Sequence, residues 1–225
     1  GTGPYKFVEG KTNDGVVWRL RSTPHPYRKP IATEVRWRVI PDPSQRLNGL
    51  RTNELDVAIG ITNPDLIDTA KREGMTVLAA TDAYLNILFN KREAEQTPLR
   101  DKRVRLALNY AVDKEAIART IYRGYGTPIG QLAAPNTPLY NPAIPPIPYD
   151  PARARQLLAE AGYPNGFTLQ GLDFSNTDPV GISVMQAVHS AHRDIGVNYQ
   201  LNPLEFGQYV AVALGQAPRK ELISA

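Results

Sequence analysis

The sequence predicts an α/β fold, and three observations carry that prediction. An Asp-Pro or Asn-Pro pair stands before five candidate helices: Asp42-Pro43, Asn63-Pro64, Asp150-Pro151, Asp178-Pro179 and Asn202-Pro203. Short apolar runs lie between the helical stretches. A complete strand–helix–strand pattern runs from Phe167 to Leu201. The pairs signal helix starts for a physical reason. Asp or Asn at the N-cap accepts a bond from an unpaired first-turn N–H, and proline at the next position gives up no hydrogen bond. Alternation of strand and helix patterns is the mark of α/β layers.

In chain order, Glu34 to Ile40 alternates, with Val35, Trp37 and Val39 on one face and Arg36 and Arg38 on the other, so a strand is expected. Leu55 to Ile61, Met75 to Ala79 and Leu85 to Phe89 are further short apolar runs assigned as strands. From about Asp101 to Tyr122, Val104, Ala107, Leu108 and Ala111 form an apolar stripe that Ile117 and Ile121 continue. Asp113 can cap a fresh start, which predicts two helices in tandem. A further helix is expected from Asp150 to Ala161, stopped by Gly162. Between Pro135 and Pro151, seven of 17 residues are proline, a density that excludes helix and central strand. An extended surface loop or rigid strap is expected there. In the Phe167–Leu201 unit, the strand FTLQGL leads through Asp173-Phe174-Ser175-Asn176-Thr177 to a helix with Ile182, Met185, Val188, His192 and Ile195 at helical spacing. Gly196 supplies the stop, and VNYQL is the second strand.

With 225 residues, the chain is long enough for one large domain or two small ones. Hydrophobic residues at 42% and charged residues at 21% are ordinary globular proportions, which excludes a mainly disordered chain. No run approaches the ~18 apolar residues of a membrane span. The absence of cysteine excludes disulfides, thiolate metal sites and cysteine nucleophiles. The net charge of +4 is spread evenly along the chain rather than gathered in a stripe, so nucleic acid is not an expected partner. The densest basic run, Lys91 to Arg105, is expected to be a solvated helix face with its lead-in loop. The opening Gly1-Thr2-Gly3-Pro4 has neither an initiator Met nor a signal-like segment, and an excised piece of a longer protein is the expectation.

Motifs for chemistry are sparse. His189 and His192 are three apart on one helix, but lack a third ligand at a recognised spacing, and His192 falls on the apolar stripe as a core residue would. His25 lies in a proline-rich turn and is expected at the surface. Gly1-Thr2-Gly3 lacks the preceding strand and third glycine of a dinucleotide fingerprint. Neither a phosphate loop nor a GxSxG elbow is present. Asp65 and Asp68 share a helix with Lys71 and Arg72, which favours a solvated face over an acid pair. The expectation is a protein that is not an enzyme and carries no cofactor or metal.

Four stretches stand in one order: GTGPYKF, VRWRVIPDPSQRLNGLRTNELDVAIG, PLRDKRVRLALNYAVDKEAIA and YDPARARQLLAEAGYPNGF. In these, and in PLEFGQYV further on, the chain closely resembles the extracytoplasmic solute-binding proteins of peptide/nickel/opine-type ABC importers. The resemblance implies a periplasmic-binding-protein type II-like fold of two lobes joined by a hinge, incomplete here. Residues 1–84 would be the latter part of the first lobe, 85–90 the hinge strand and 91–225 most of the second lobe. It further implies a monomer in the periplasm or another extracytoplasmic place, with any membrane anchor in a missing N-terminal portion. The protein would capture a peptide, opine or similar ligand and deliver it to the permease subunits of an importer.

Ser175, Asn176 and Asp173 are candidate ligand contacts, because their loop ends a strand and precedes a helix N-terminus, where free N–H groups favour an anion or carbonyl. Capping of the following helix is the equally weighted alternative. Tyr84 and Asn86 on the hinge strand, and Asn136 and Tyr140 in the proline-rich loop, complete the candidates; ordinary packing and bracing are their competing roles. Dipeptide-binding members carry an arginine in the loop matching Leu172–Asn176, and this sequence has none. The acidic ligand-contact region that usually follows PLEFGQYV falls beyond Ala225, so a large share of the site is expected outside this chain. A hydrolase or transferase with an unrecognised site, and a docking domain without a small ligand, are the alternatives from other classes.

Overall fold

The computed structural model describes residues 3–11, 14–78, 97–133, 135, 137–173, 179–204 and 206–213. The chain divides into two compact units, Gly1–Ile61 and Thr62–Ala225. The first holds an antiparallel three-stranded meander of β1 (Tyr5–Lys11), β2 (Gly15–Leu20) and β3 (Glu34–Arg38), followed by α1 (Pro43–Arg51). β3 is the first strand expected from the alternation, two residues shorter. β1 and β2 were not among the expected strands, although VVW and FVE carry strand-forming residues. The register sets Phe7 opposite Trp18 and Trp18 opposite Val35. The rings of Phe7 and Trp18 meet edge to face at 5.8 Å. The next pair in the β2–β3 ladder, Arg19 and Glu34, forms a salt bridge at 2.8 Å, and Arg36 reaches the same carboxylate at 2.7 Å. These bonds, Arg19 foremost, hold the Glu34 carboxyl below its ordinary range.

α1 starts where its Asp-Pro pair predicts. Asp42 Oδ1 accepts from the amides of Ser44 at 2.6 Å and Gln45 at 3.2 Å. The stretch Leu55–Ile61 departs from expectation. It pairs with no strand among the described residues, and Val57 is 75% exposed. An apolar run becomes a strand only where a neighbour satisfies its backbone groups. Here Arg46 Nη2 serves one carbonyl of the run, donating to Gly60 O at 3.1 Å. Met75–Leu78 is likewise outside any ladder among the described residues. The expected strand Leu85–Phe89 lies outside the described residues.

The second unit begins with α2 (Pro64–Arg72), capped by Asn63 Oδ1 on the Asp65 amide at 2.8 Å. A single 3₁₀ turn, Pro98–Arg100, leads to α3 (Lys102–Tyr110) and α4 (Lys114–Thr120). The tandem arrangement is as expected, with Asp113 capping α4 through the Ala116 amide at 2.8 Å. The proline-rich stretch contains neither helix nor strand among its described residues before α5 (Pro151–Glu160) begins. It is fastened from both sides. Gln131 Nε2 donates to Asn141 O at 2.7 Å, and the Asn141 amide returns a bond to Gln131 Oε1 at 2.9 Å. Lys114 Nζ donates to Asn109 O at 2.7 Å and Ile147 O at 3.2 Å, tying the α3–α4 corner to the strap. Desolvation of this half-buried ammonium holds its pKa below the ordinary lysine value.

The expected crossover forms as β4 (Phe167–Asp173), α6 (Pro179–Arg193) and β5 (Val197–Pro203), with β4 and β5 parallel. Its two ends meet at glycines. Gly166 and Gly196 have φ of +76° and +88°, and a Cβ on Gly166 would stand 1.8 Å from Gly196 O. Only glycine permits that approach. The helix expected at Asn202-Pro203 does not start there. β5 continues through both residues, Asn202 opposite Leu172 and Pro203 opposite Asp173, and α7 (Phe206–Ala213) begins three residues later. Proline is tolerated at a strand end, so the pair punctuates the strand instead of capping a helix. The core of this unit joins α3, α5 and the two strands through Val104, Leu108, Leu157, Leu158, Leu169 and Val197. A smaller cluster joins Val112 to Val184 and Val188 of α6.

Candidate functional site

The two parallel strands end side by side at Asp173 and Pro203, and α6 begins at Pro179. Residues 174–178 therefore connect a strand's carboxyl end to a helix's amino end. That is where open α/β sheets gather ligands, because successive crossovers leave a crevice there and the helix N-terminus offers unpaired N–H groups. Asp173 is the last residue of β4. Ser175, Asn176, Tyr84, Asn86 and Asn136 lie outside the described residues. Tyr140 is half-buried at a turn of the strap, where its amide donates to Thr137 O at 3.1 Å. The structure thus fixes the two ends of the candidate loop and the position of Tyr140.

The elements flanking this crossover are held by a buried polar linkage. His192 on α6 is 1% exposed. Its Nε2 lies 2.9 Å from Leu108 O and its Nδ1 lies 2.6 Å from the Tyr199 hydroxyl. A carbonyl oxygen only accepts, so Nε2 carries the proton and donates to it; Nδ1 then accepts from Tyr199. One imidazole so joins α6, α3 and β5. Burial depresses its pKa from 6.5 to about 4, with the charges of His189 and Lys114 adding to the effect. Burial also raises the Tyr199 phenol. His192 is the core histidine that its place on the apolar stripe predicts. Among the described residues, no group of three or more His, Cys, Asp or Glu is placed to hold a metal.

A groove of ≈ 480 Å³ opens beside the α3–α4 corner, walled by Val112, Ile117, Ile121, Tyr149, Arg155 and Ala191 among others. The sequence reading places Ala111 on a packing stripe and does not single out this groove. The signal was present in the small residues Ala111, Ala116, Ala187 and Ala191, which leave space between helices. A second omission concerns Asp65, Asp68 and Lys71. Asp65 and Lys71 are exposed and Asp68 is half-buried, and all three are partnered with Arg123 or Tyr125, more than 50 residues away in sequence.

Residues 1–217 match the family described as bacterial extracellular solute-binding proteins, family 5 middle. The glutathione-binding protein GsiB of Pectobacterium atrosepticum is 32% identical over 220 residues, which is 98% of this chain and 42% of that protein. Heme-binding protein A of Haemophilus influenzae is 38% identical over 168 residues, covering 74% of this chain and 30% of the relative. Among solved structures, the periplasmic binding protein DppA of Helicobacter pylori, in complex with the peptide STSA, superposes with a TM-score of 0.72 at 25% identity. That match covers 96% of this chain and 41% of the solved one. NikA of Brucella suis, in complex with Fe(III)-EDTA, gives 0.71 at 25% identity, covering 96% of this chain and 46% of the other. The chain spans less than half the length of these relatives. Their architecture is that of type II periplasmic binding proteins, and the expected fold class holds. No helix among the described residues is long and apolar enough to cross a membrane.

Proposed function

The chain belongs to the bacterial extracellular solute-binding proteins of family 5, and on that premise we propose that it is part of the solute-capturing subunit of an ABC importer. The subunit encloses a peptide, opine or similar small ligand between two lobes and hands it to membrane permease subunits outside the cytoplasm. The observation that carries this reading is the family match over residues 1–217, together with a parallel β4–α6–β5 crossover whose strands end side by side at Asp173 and Pro203. The lobes are residues 1–84 and 91–225, with the hinge strand at 85–90. Closure is driven by ligand contacts made in the closed arrangement alone. Asp173, Ser175 and Asn176 approach the ligand from the crossover, Tyr84 and Asn86 from the hinge strand, and Asn136 and Tyr140 from the strap. The work is capture and release, with no bond made or broken, and it requires no cofactor.

The names of the relatives supply the probes: glutathione, heme, the peptide STSA and Fe(III)-EDTA. Thermal-shift measurement of the protein, produced at the length of its relatives, is expected to show saturable stabilisation by one such ligand class. Calorimetry on the hit gives the affinity. Absence of stabilisation by every probe, or steady turnover of any of them, would refute the proposal. The 225-residue chain alone is expected to bind the same hit more weakly, because a cleft needs both walls.

A further inference from the structure

The meander of the first unit has two unlike faces. Residues paired across an antiparallel ladder share a face, as do alternate residues along a strand. Phe7, Val16, Trp18, Val35 and Trp37 therefore stand on one side, and Lys6, Arg19, Glu34 and Arg36 on the other. The charged side is complete in itself, since Glu34 is bonded to both Arg19 and Arg36 and all three carry charges that water tolerates. The aromatic side is incomplete. Phe7 is 58% exposed, Trp37 51% and Trp18 39%. An aromatic side chain offers ~150–250 Å² of surface, so three rings bared to this degree leave an apolar patch of a few hundred Å². Patches of that size mark interaction surfaces.

The same unit lacks a core of its own. Among the described residues of Gly1–Ile61, Leu47 is the one apolar side chain that is buried. Both hydrophobic clusters of the chain consist of residues of the second unit. The run Leu55–Ile61 adds to the deficit, with Val57 and Ile59 exposed and no ladder among the described residues. A sheet with one apolar face holds its shape by burying that face against a second layer. The cover must be permanent, because a ligand or a membrane that comes and goes would leave the unit coreless between encounters. The relatives indicate where permanent cover is to be had. The chain matches GsiB over 98% of its own length but over 42% of that protein, so in the relative more polypeptide lies outside the matched region than within it.

We propose that the Phe7–Trp18–Trp37 face of the meander is an intramolecular docking surface, one half of a core whose other half is an apolar layer of the full-length protein outside these 225 residues. The ion-paired face remains in water, and the aromatic face receives the second layer. The inference draws on family membership and on packing, not on the transport reading, so ligand binding does not bear on it.

Trp18 and Trp37 are the two tryptophans of the chain, so its tryptophan emission reports on this face alone. The protein is produced at the length of its relatives, with any tryptophan outside the 225 residues replaced by phenylalanine. Acrylamide quenching of the two indoles is expected to be severalfold weaker than that of free N-acetyltryptophanamide, with emission shifted to the blue. Trp18→Phe and Trp37→Phe assign each signal. The cover itself is identified by p-benzoylphenylalanine placed at Phe7 and, separately, at Trp37, both conservative aromatic exchanges. After irradiation, mass spectrometry is expected to find the adduct on a peptide outside the 225 residues. Indoles quenched as readily as the free compound would overturn the proposal and leave the face open to solvent. Adducts confined to the 225 residues would also overturn it, by making the chain its own cover. So would adducts joining two copies, seen as cross-linked dimers, or the absence of any adduct from both positions.

Discussion

Acid should weaken the second unit through one side chain. His192 is buried, neutral, and engaged at both nitrogens, with Nε2 donating to Leu108 O and Nδ1 accepting from Tyr199. Protonation would put a charge in the core and remove the acceptor that Tyr199 uses. In the unfolded chain the imidazole titrates near its ordinary value, whereas in the fold its pKa falls from 6.5 to about 4. Between those values the unfolded state binds the proton and the folded state does not, so stability rises with pH across that window. The full contribution is present above pH ~6.5 and is lost as pH falls toward ~4. At ~1.4 kcal/mol per pKa unit, the shift is worth about 3 kcal/mol, a sizeable part of the stability of an ordinary domain. Urea denaturation at half-unit steps from pH 4 to 8 measures the slope. His192→Gln offers an amide N–H to Leu108 and a carbonyl to Tyr199 without a titrating group, so its slope over the same window should be shallower. Equal slopes in the two proteins, or an imidazole NMR titration of His192 centred near 6.5, would refute the reasoning.

Three further outcomes follow from packing and from the candidate loop. Leu158→Ala, at a side chain 1% exposed between α3, α5 and the strands, should cost ~2–5 kcal/mol in chemical denaturation, since the cavity collapses only in part. Gly166→Ala should cost at least ~2 kcal/mol by the same measurement, because its Cβ would stand 1.8 Å from Gly196 O at a φ of +76°. A thermal melt unchanged by that substitution would mean the β4–β5 ends do not meet as described. Ser175→Arg should reorder the ligand preference in a thermal-shift panel, by placing a cation in the loop after β4. An unaltered ranking would count against a cleft position for this loop.

How much of this was legible beforehand depended on whether the deciding contacts are local. Asp42, Asn63 and Asp113 cap the helices their positions predict, since a cap is a bond to an amide two or three residues away. The crossover was legible too, because its helix has 3.6-residue periodicity and its glycine stops are local. The apolar run Leu55–Ile61 misled, since strand formation requires a neighbour that the run itself does not specify. Asn202-Pro203 misled for the converse reason: β4 offers Leu172 and Asp173 as register partners, and the ladder absorbed the pair.

The candidate site divides along the same line. Its loop could be located from the strand before it and the helix after it, whereas the bonded partners of α2 could not, because Arg123 and Tyr125 reach Asp65, Asp68 and Lys71 across more than 50 residues.

By itself the sequence determined the α/β class, four of the five proline-marked helix starts, the strap and the family resemblance, all of which depend on residues near one another or on ordered motifs. Tertiary structure alone decided which apolar runs became ladders, which proton His192 carries and which charges on α2 are engaged. Those outcomes belong to pairs of residues distant in sequence, and a chain acquires such pairs only by folding.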